Sequence, residues 1–165
     1  MNRHTTNRKC GDCRECCFTL GVAEIDKPEF KACEYQCSIG CGIYEHRPLP
    51  CRVFDCLWLE GFAPRWAKPN KTHAVPWHSG VTAPDGTVLP VLRLAFTAGF
   101  KRNKRVMEWA RAVSHRVPVM LLDEMREAAI IDGEIVFSRK KTDKPAEVEF
   151  TIRAGKVIEI KEVRG

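Results

Sequence analysis

The carboxyl-terminal part of the chain alternates apolar and polar residues with the period of a β-strand. Val148, Phe150 and Ile152 are separated by charged or hydroxyl residues, which predicts a strand with one buried face. Residues 157–163 are predicted to pair back onto it across a turn at residues 154–155. The end of the chain is therefore expected to form an antiparallel hairpin.

Asp-Gly pairs predict two further hairpins. They occur at Asp85-Gly86 and Asp132-Gly133, each between apolar runs, where an Asp-Gly pair favours a two-residue turn. Between these hairpins the apolar residues recur with helical spacing. The spacing predicts an amphipathic helix over residues 102–116, with its apolar stripe formed by Val106, Trp109, Ala110 and Val113.

Composition places the chain among globular proteins. Of its 165 residues, 44% are hydrophobic and 29% charged, which allows a core and excludes wholesale disorder. The first residues are polar and basic and lack the apolar stretch of a secretory signal. The apolar run from Val117 to Leu122 is much shorter than the roughly 18 residues of a membrane span. A cytoplasmic protein without a membrane partner is expected.

The net charge of +6 invites a nucleic-acid interpretation, because basic proteins contact phosphates. The cysteines weaken this interpretation. Eight thiolates holding two divalent ions would reduce the net charge to about +2. Nucleic acid is therefore not the expected partner, although a nucleic-acid-binding zinc module stays an open alternative.

All nine cysteines lie between residues 10 and 56. They are Cys10, Cys13, Cys16, Cys17, Cys33, Cys37, Cys41, Cys51 and Cys56. A chain that used cysteine only as a small apolar residue would scatter it, so the clustering favours shared metal ligation. A disulfide framework is disfavoured because the number is odd and no export signal is predicted.

The spacing of the cysteines suggests two metal centres. Two thiols three residues apart can reach one ion, and a helix over residues 10–17 would bring the first four sulfurs to one side. Residues 33–41 could form a second helix or close a loop. Cys51 and Cys56 follow two prolines and are predicted to lie on extended or turning chain. Because the adjacent Cys16 and Cys17 cannot easily bind one ion, they are expected to serve two centres or to bridge two metals.

Two segments resemble the YkgJ-type cysteine-cluster family, which is described as a zinc- or iron-chelating domain. The first is Cys10-x2-Cys13-x2-Cys16-Cys17. The second runs from Cys41 to Cys56 and reads Cys-Gly-Ile-Tyr-Glu-His-Arg-Pro-Leu-Pro-Cys-Arg-Val-Phe-Asp-Cys. In the family pattern Cys33 corresponds to the central cysteine, which makes Cys37 the spare. The resemblance thus implies eight metal ligands, with Cys37 as an alternative: Cys10, Cys13, Cys16, Cys17, Cys33, Cys41, Cys51 and Cys56.

The identity of the metal stays open at this point. Four thiolates suit both zinc and an iron–sulfur cluster. His73 and His78 could complete a mixed site or be ordinary loop residues. Arg47 and Arg52 could donate hydrogen bonds to thiolates, although Arg47 could instead pair with Glu45.

These features predict an α+β fold and a metal-binding function. A cysteine-rich metal-binding subdomain, residues 1–61, is expected to pack on a layer of antiparallel hairpins and a helix, residues 62–165, in one compact unit. Residues 62–79 are expected to be a connecting loop. Members of the resembled family are mainly metal or iron–sulfur proteins, and some larger relatives are flagellin lysine methylases. A cluster-dependent oxidoreductase or methyl-transfer enzyme is therefore a second hypothesis. The catalytic residues and the protein or small-molecule partner are not predicted.

Overall fold

The computed structural model describes residues 6–82, 86–97, 103–141, 147–153 and 156–163. The α-helices are α1 (Glu15–Thr19), α2 (Leu49–Val53), α3 (Leu57–Glu60), α4 (Pro69–Thr72) and α5 (Lys104–Ser114). The strands are β1 (Gln36–Cys37), β2 (Gly40–Cys41), β3 (Ala74–Thr82), β4 (Val88–Phe96), β5 (Val119–Leu122), β6 (Arg126–Ile131), β7 (Glu134–Lys140), β8 (Glu147–Arg153) and β9 (Lys156–Val163). Short 3-10 helices span Ala23–Ile25, Tyr44–His46 and Arg65–Ala67.

Among these described residues, five strands form one sheet in the order β3-β4-β5-β6-β7. Strands β4 and β5 are parallel, and the other neighbouring pairs are antiparallel. Helix α5 lies between the two parallel strands in sequence and provides the crossover that parallel pairing requires. The side chain of Asn103 accepts a hydrogen bond from the backbone N–H of Val106 and caps the start of this helix.

The main core lies on one face of the sheet. It combines alternate residues of the central strands with the apolar side of α5 and with residues before the sheet, including Leu57, Ala63, Leu94, Phe96, Val106, Ala110, Leu121 and Ile130. On the other face, Val157 and Ile160 of β9 pack with Leu89, Ala129 and Ile131. The sheet is therefore covered by helices on one side and by the β8–β9 hairpin on the other.

The structure confirms the α+β class and the main predicted elements. Asp132 and Gly133 connect β6 to β7, and both have positive φ angles, 49° and 86°, as a type I′ turn requires. The pairings β3–β4 and β8–β9 are also antiparallel as predicted. Asp85 and residues 154–155 lie outside the described residues. The predicted helix over residues 102–116 is found as α5, and its predicted start at residue 102 also lies outside them.

The prediction of a connecting loop over residues 62–79 is wrong, because this segment contains α4 and the first half of β3. His73 adopts a left-handed conformation with φ 52° after α4, so the chain can turn directly into β3. Pro76 lies within β3. It is tolerated there because β3 is an edge strand, where a missing N–H does not interrupt the ladder.

The predicted boundary after residue 61 remains a prediction. Leu57 lies before it, yet its side chain belongs to the main core beside the sheet. Arg8 lies further upstream, and its Nη1 donates hydrogen bonds to the carbonyls of Trp58 and Ala63 at 2.7 and 2.6 Å. Helices α1, α3 and α4 contact β3. The amino-terminal segment therefore packs directly against the sheet. No helix among the described residues is long and apolar enough to cross a membrane.

We expect Phe96→Ala to lower the free energy of unfolding by about 3–5 kcal/mol, because it removes a fully buried ring from the main core. Val88→Ala on the same strand is the matched control, since Val88 is exposed and its loss should change stability by less than about 0.5 kcal/mol. Urea denaturation of both variants measures the difference. Equal effects would contradict the described core.

Candidate metal centre

The first four cysteines lie on a turn followed by a short helix. The backbone N–H of Cys13 donates to the carbonyl of Cys10 at 3.1 Å, and Gly11 between them has a φ of 58°. Helix α1 begins only at Glu15, because the preceding residue is not helical. The predicted helix over residues 10–17 is therefore wrong in its first half, and only Cys16 and Cys17 are helical.

The middle cysteines lie on a loop and a two-stranded hairpin. The backbone N–H of Cys33 donates to the carbonyl of Cys17 at 3.1 Å, which brings this loop to α1. Cys37 is in β1 and Cys41 is in β2, and these strands pair antiparallel. The helical alternative for residues 33–41 is thus wrong, and the loop alternative is correct.

The last two cysteines lie at successive short helices. Cys51 is inside α2, and Cys56 precedes the first residue of α3. The prediction of extended chain at Cys51 is wrong. Pro48 caps α2 and Pro50 occupies its first turn, where a proline has no N–H to lose and already has a helical φ.

Cys10, Cys13, Cys16 and Cys56 form what we call the first thiol group. The thiol of Cys10 donates a hydrogen bond to the backbone carbonyl of Cys13 at 3.6 Å. The interaction between the two thiol side chains raises the pKa of Cys10 and lowers that of Cys13 to about 6. Backbone N–H groups of Glu15 and Asn70 also donate to Cys13 and help to lower its pKa. Burial raises the pKa of Cys56, and the negative charge of Cys13 raises it further.

Cys17, Cys33, Cys41 and Cys51 form the second thiol group. Burial raises the pKa of Cys51, and the negative charges of Cys17, Cys33 and Cys41 add to this effect. A hydrogen bond from Cys16 lowers the pKa of Cys17 to about 7, and the positive charges of Lys27 and Arg47 act in the same direction. Cys16 and Cys17, adjacent on α1, also influence each other directly, and we assign them to different groups because two neighbouring side chains cannot easily bind one ion.

Cys37 is the cysteine outside these two groups. The thiolate charges that raise the pKa values of Cys10, Cys16, Cys51 and Cys56 all come from members of the two groups. The backbone carbonyl of Cys37 accepts a hydrogen bond from Arg14 Nη1 at 2.6 Å. The assignment of Cys37 as the spare cysteine remains a prediction.

The donor chemistry suits a thiophilic metal, but the sulfurs do not already surround an ion. All nine cysteines are free thiols. Among the described residues, no three Cys, His, Asp or Glu side chains are arranged so that they could hold a metal ion. Neighbouring thiols instead interact in pairs, Cys10 with Cys13 and Cys16 with Cys17, and each interaction raises the pKa of the first member. A metal would have to displace the thiol protons and draw each group together.

The two candidate histidines contact carboxylates. His73 Nδ1 lies 3.3 Å from Glu15 Oε1, and His78 Nε2 lies 3.7 Å from Glu60 Oε2. The His78 ring also packs edge-on against Phe62. In the structure each imidazole thus contacts a carboxylate, whereas the mixed site considered above would have placed it beside cysteines.

Of the two candidate arginines, Arg47 acts on the thiols through its charge. Its guanidinium lies over the ring of Tyr44 at 3.7 Å, and Nε donates to the Tyr44 carbonyl at 2.9 Å. The charge of Arg47 helps to lower the pKa of Cys17, and it partly offsets the rise in the pKa of Cys51. Arg52 is exposed on α2.

A cavity of about 430 Å³ lies between α1 and the end of β4, and sequence reasoning missed it. It is lined by Asp12, Arg14, Glu15, Phe18, Ala32, Gln36, Asn70 and Thr97. Thr97 Oγ1 donates to Glu15 Oε2 at 2.7 Å across this cavity wall. Because Thr97 ends β4 and Glu15 begins α1, only the folded chain brings them together.

Comparison of the chain with protein-family models, with curated proteins and with solved structures gives no match. The resemblance to the YkgJ-type family therefore stays a prediction, and the functional argument depends on the residues described above.

Proposed function

We propose that the protein binds metal at two four-thiolate centres, as zinc ions or as iron–sulfur clusters. The first centre would use Cys10, Cys13, Cys16 and Cys56, and the second would use Cys17, Cys33, Cys41 and Cys51. The observation that carries this proposal is the concentration of all nine cysteines between residues 10 and 56, where the charges of neighbouring thiols shift one another's pKa values. The division of eight of them into two groups of four is our assignment. Four thiolates are the usual ligand set for either kind of centre.

The segment that carries the later cysteines has few other interactions to stabilise its structure. Every residue from 31 to 56 is partly or fully exposed, so this segment contributes no buried side chain to either core. Its apolar residues Ile39, Tyr44, Leu49 and Val53 are among the most exposed in the protein. A segment without a core needs cross-links for stability, and metal–thiolate bonds supply them. We therefore propose that residues 1–61 form a cysteine-rich subdomain in which the structure of residues 31–56 depends on metal.

The polar cavity described above favours a second candidate function. Its wall includes Asp12, Arg14 and Glu15, which are sequence neighbours of the proposed ligands Cys13 and Cys16. A small polar molecule in this cavity would contact residues next in sequence to the first centre. In this alternative the protein is an oxidoreductase or a methyl-transfer enzyme that works at the first centre.

Elemental analysis and visible absorption of anaerobically purified protein separate these possibilities. The proposal predicts two zinc ions per chain in a colourless sample, or iron with sulfide in a brown one. A brown sample that bleaches reversibly on reduction would support the oxidoreductase alternative. A folded, reduced sample without metal, which also takes up none when zinc is added, would contradict the proposal.

A further inference from the structure

The polar cavity between α1 and the end of β4 is lined by charged groups of both signs. Arg14 and Glu15 are neighbours in sequence, and both are partly buried residues of the cavity wall. In the part of the chain that the structure describes, each contacts a different segment and the two do not form an ion pair. Arg14 Nη1 donates to the carbonyl of Cys37 at 2.6 Å, and Glu15 Oε2 accepts from Thr97 Oγ1 at 2.7 Å. The cavity therefore holds a cation and an anion that are fixed separately.

The third charged residue of the wall, Asp12, already has its partners. Its Oδ1 lies 3.2 Å from Lys68 Nζ and accepts a hydrogen bond from Asn70 Nδ2 at 3.2 Å. Lys68 thus compensates the charge of Asp12. Arg14, by contrast, has no carboxylate partner among the described residues.

The guanidinium of Arg14 is suited to bind a carboxylate. An arginine side chain carries five N–H donors, and the bond to the carbonyl of Cys37 holds the guanidinium in place while using only one of them. The remaining donors can bind the two oxygens of a carboxylate through parallel hydrogen bonds. A ligand of this cavity is therefore expected to carry a carboxylate group.

Glu15 and Asn70 supply hydrogen-bond acceptors in the same wall. A carboxylate oxygen accepts more than one hydrogen bond, so Glu15 can bind a further donor beside Thr97. The bond from Asn70 Nδ2 to Asp12 sets the orientation of the Asn70 amide, and its Oδ1 is buried and accepts no hydrogen bond among the described residues. A buried acceptor without a donor is costly. These groups favour a ligand that also carries an ammonium group.

The size and the apolar part of the cavity agree with a small ligand. Its volume of about 430 Å³ lies at the lower end of the range of small-molecule sites, roughly 300–1,000 Å³. Phe18 and Ala32 add apolar surface to the wall. The cavity thus has room for an apolar or small polar side chain in addition to the two charged groups.

We propose that this cavity binds a zwitterionic α-amino acid, whose carboxylate pairs with Arg14 and whose ammonium pairs with Glu15. This inference rests on the second candidate function, in which the cavity takes a small polar molecule, and it names the class of that molecule. Arg14 and Glu15 are not proposed metal ligands, so the assignment does not depend on the ionisation of any thiol.

Thermal unfolding of the full chain, purified with its metal, tests the ligand class. The standard L-amino acids are added one at a time, and one that is present at about 100 times its Kd should raise Tm by about 5–10 °C. The best binder is then compared with its carboxamide and with its N-acetyl derivative. Both derivatives should bind much more weakly, because each lacks one of the two charges. No shift with any amino acid, or equal binding of either derivative, would overturn the inference.

Calorimetric titration of three variants with the best binder tests the two residues. Arg14→Gln and Glu15→Gln should each weaken binding by about 10–100-fold, as expected for the loss of a hydrogen bond between charged groups. Glu15→Gln keeps the side-chain volume and an oxygen that can accept from Thr97, so the fold should be retained. Arg65→Gln is the matched control, since Arg65 is exposed and does not line the cavity. Equal affinities of the Arg14→Gln and Arg65→Gln variants would overturn the role of Arg14.

Elemental analysis of the same samples separates this inference from the proposed metal binding. A sample that contains metal but binds no amino acid would overturn the amino-acid site and leave the metal centres. A folded, reduced sample that takes up no metal but binds an amino acid would contradict the metal centres and support the site.

Discussion

Removal of the metal is expected to abolish hydrogen-exchange protection across residues 31–56 and to leave it in the centre of the sheet. The first segment has no buried side chain, so in the proposed function metal–thiolate bonds are its main source of stability. Structural zinc contributes about 10–16 kcal/mol of apparent binding free energy in small zinc-dependent folds, comparable to the whole stability of a domain. Without it, the backbone hydrogen bond from Gly42 to Tyr35 should open freely.

Mass spectrometry after exchange, with and without chelator, measures this effect. Strands β5 and β6 provide an internal control, because Leu121 and Ile130 are fully buried in the main core. Their amides should stay protected in both samples. Unchanged protection of residues 31–56 under strong chelation would show that the segment holds itself without metal.

Replacement of a single ligand is expected to remove one centre and leave the other. Cys51→Ser should reduce the metal content from two ions to one and should deprotect the β1–β2 hairpin, because Cys41 of that hairpin is a proposed ligand of the same centre. Cys13→Ser should also lose one ion but should leave the hairpin protected. The charges that couple Cys51 to Cys17, Cys33 and Cys41 are the basis for this difference.

Cys37→Ser is the control for both variants. Cys37 is in the same hairpin as Cys41 but lies outside both thiol groups, so its replacement should retain two ions. Metal content is measured by elemental analysis of each purified variant. If Cys37→Ser loses an ion while Cys51→Ser keeps both, the assignment of the second centre is wrong.

Local sequence patterns predicted the elements that depend on local physics. The apolar stripe through Val106 and Ala110 identified α5, and the Asp132-Gly133 pair identified the turn between β6 and β7. Strand β5 was missed because a short apolar run does not distinguish a strand from a buried helix. Its parallel pairing with β4 depends on how the crossover through α5 packs, which is a tertiary effect.

The prolines and the cysteines show the same contrast between what local sequence predicts and what only the fold determines. Pro48 and Pro50 were interpreted as barriers to a helix, although a proline in the first turn starts one. The cysteine cluster identified the candidate ligands, but their grouping depends on contacts between distant segments, such as the bond between Cys33 and Cys17. The buried Lys27 has no sequence signature, because only the fold places its ammonium among three carbonyls.

X-ray absorption spectroscopy at the edge of the bound metal tests the central claim most directly, since it counts the atoms around the metal. For a zinc-loaded sample the proposal predicts four sulfur neighbours at about 2.3 Å, averaged over the two centres. For an iron-loaded sample it predicts iron bound to sulfur throughout. A first shell made mainly of oxygen or nitrogen would contradict the assignment of these eight cysteines as ligands.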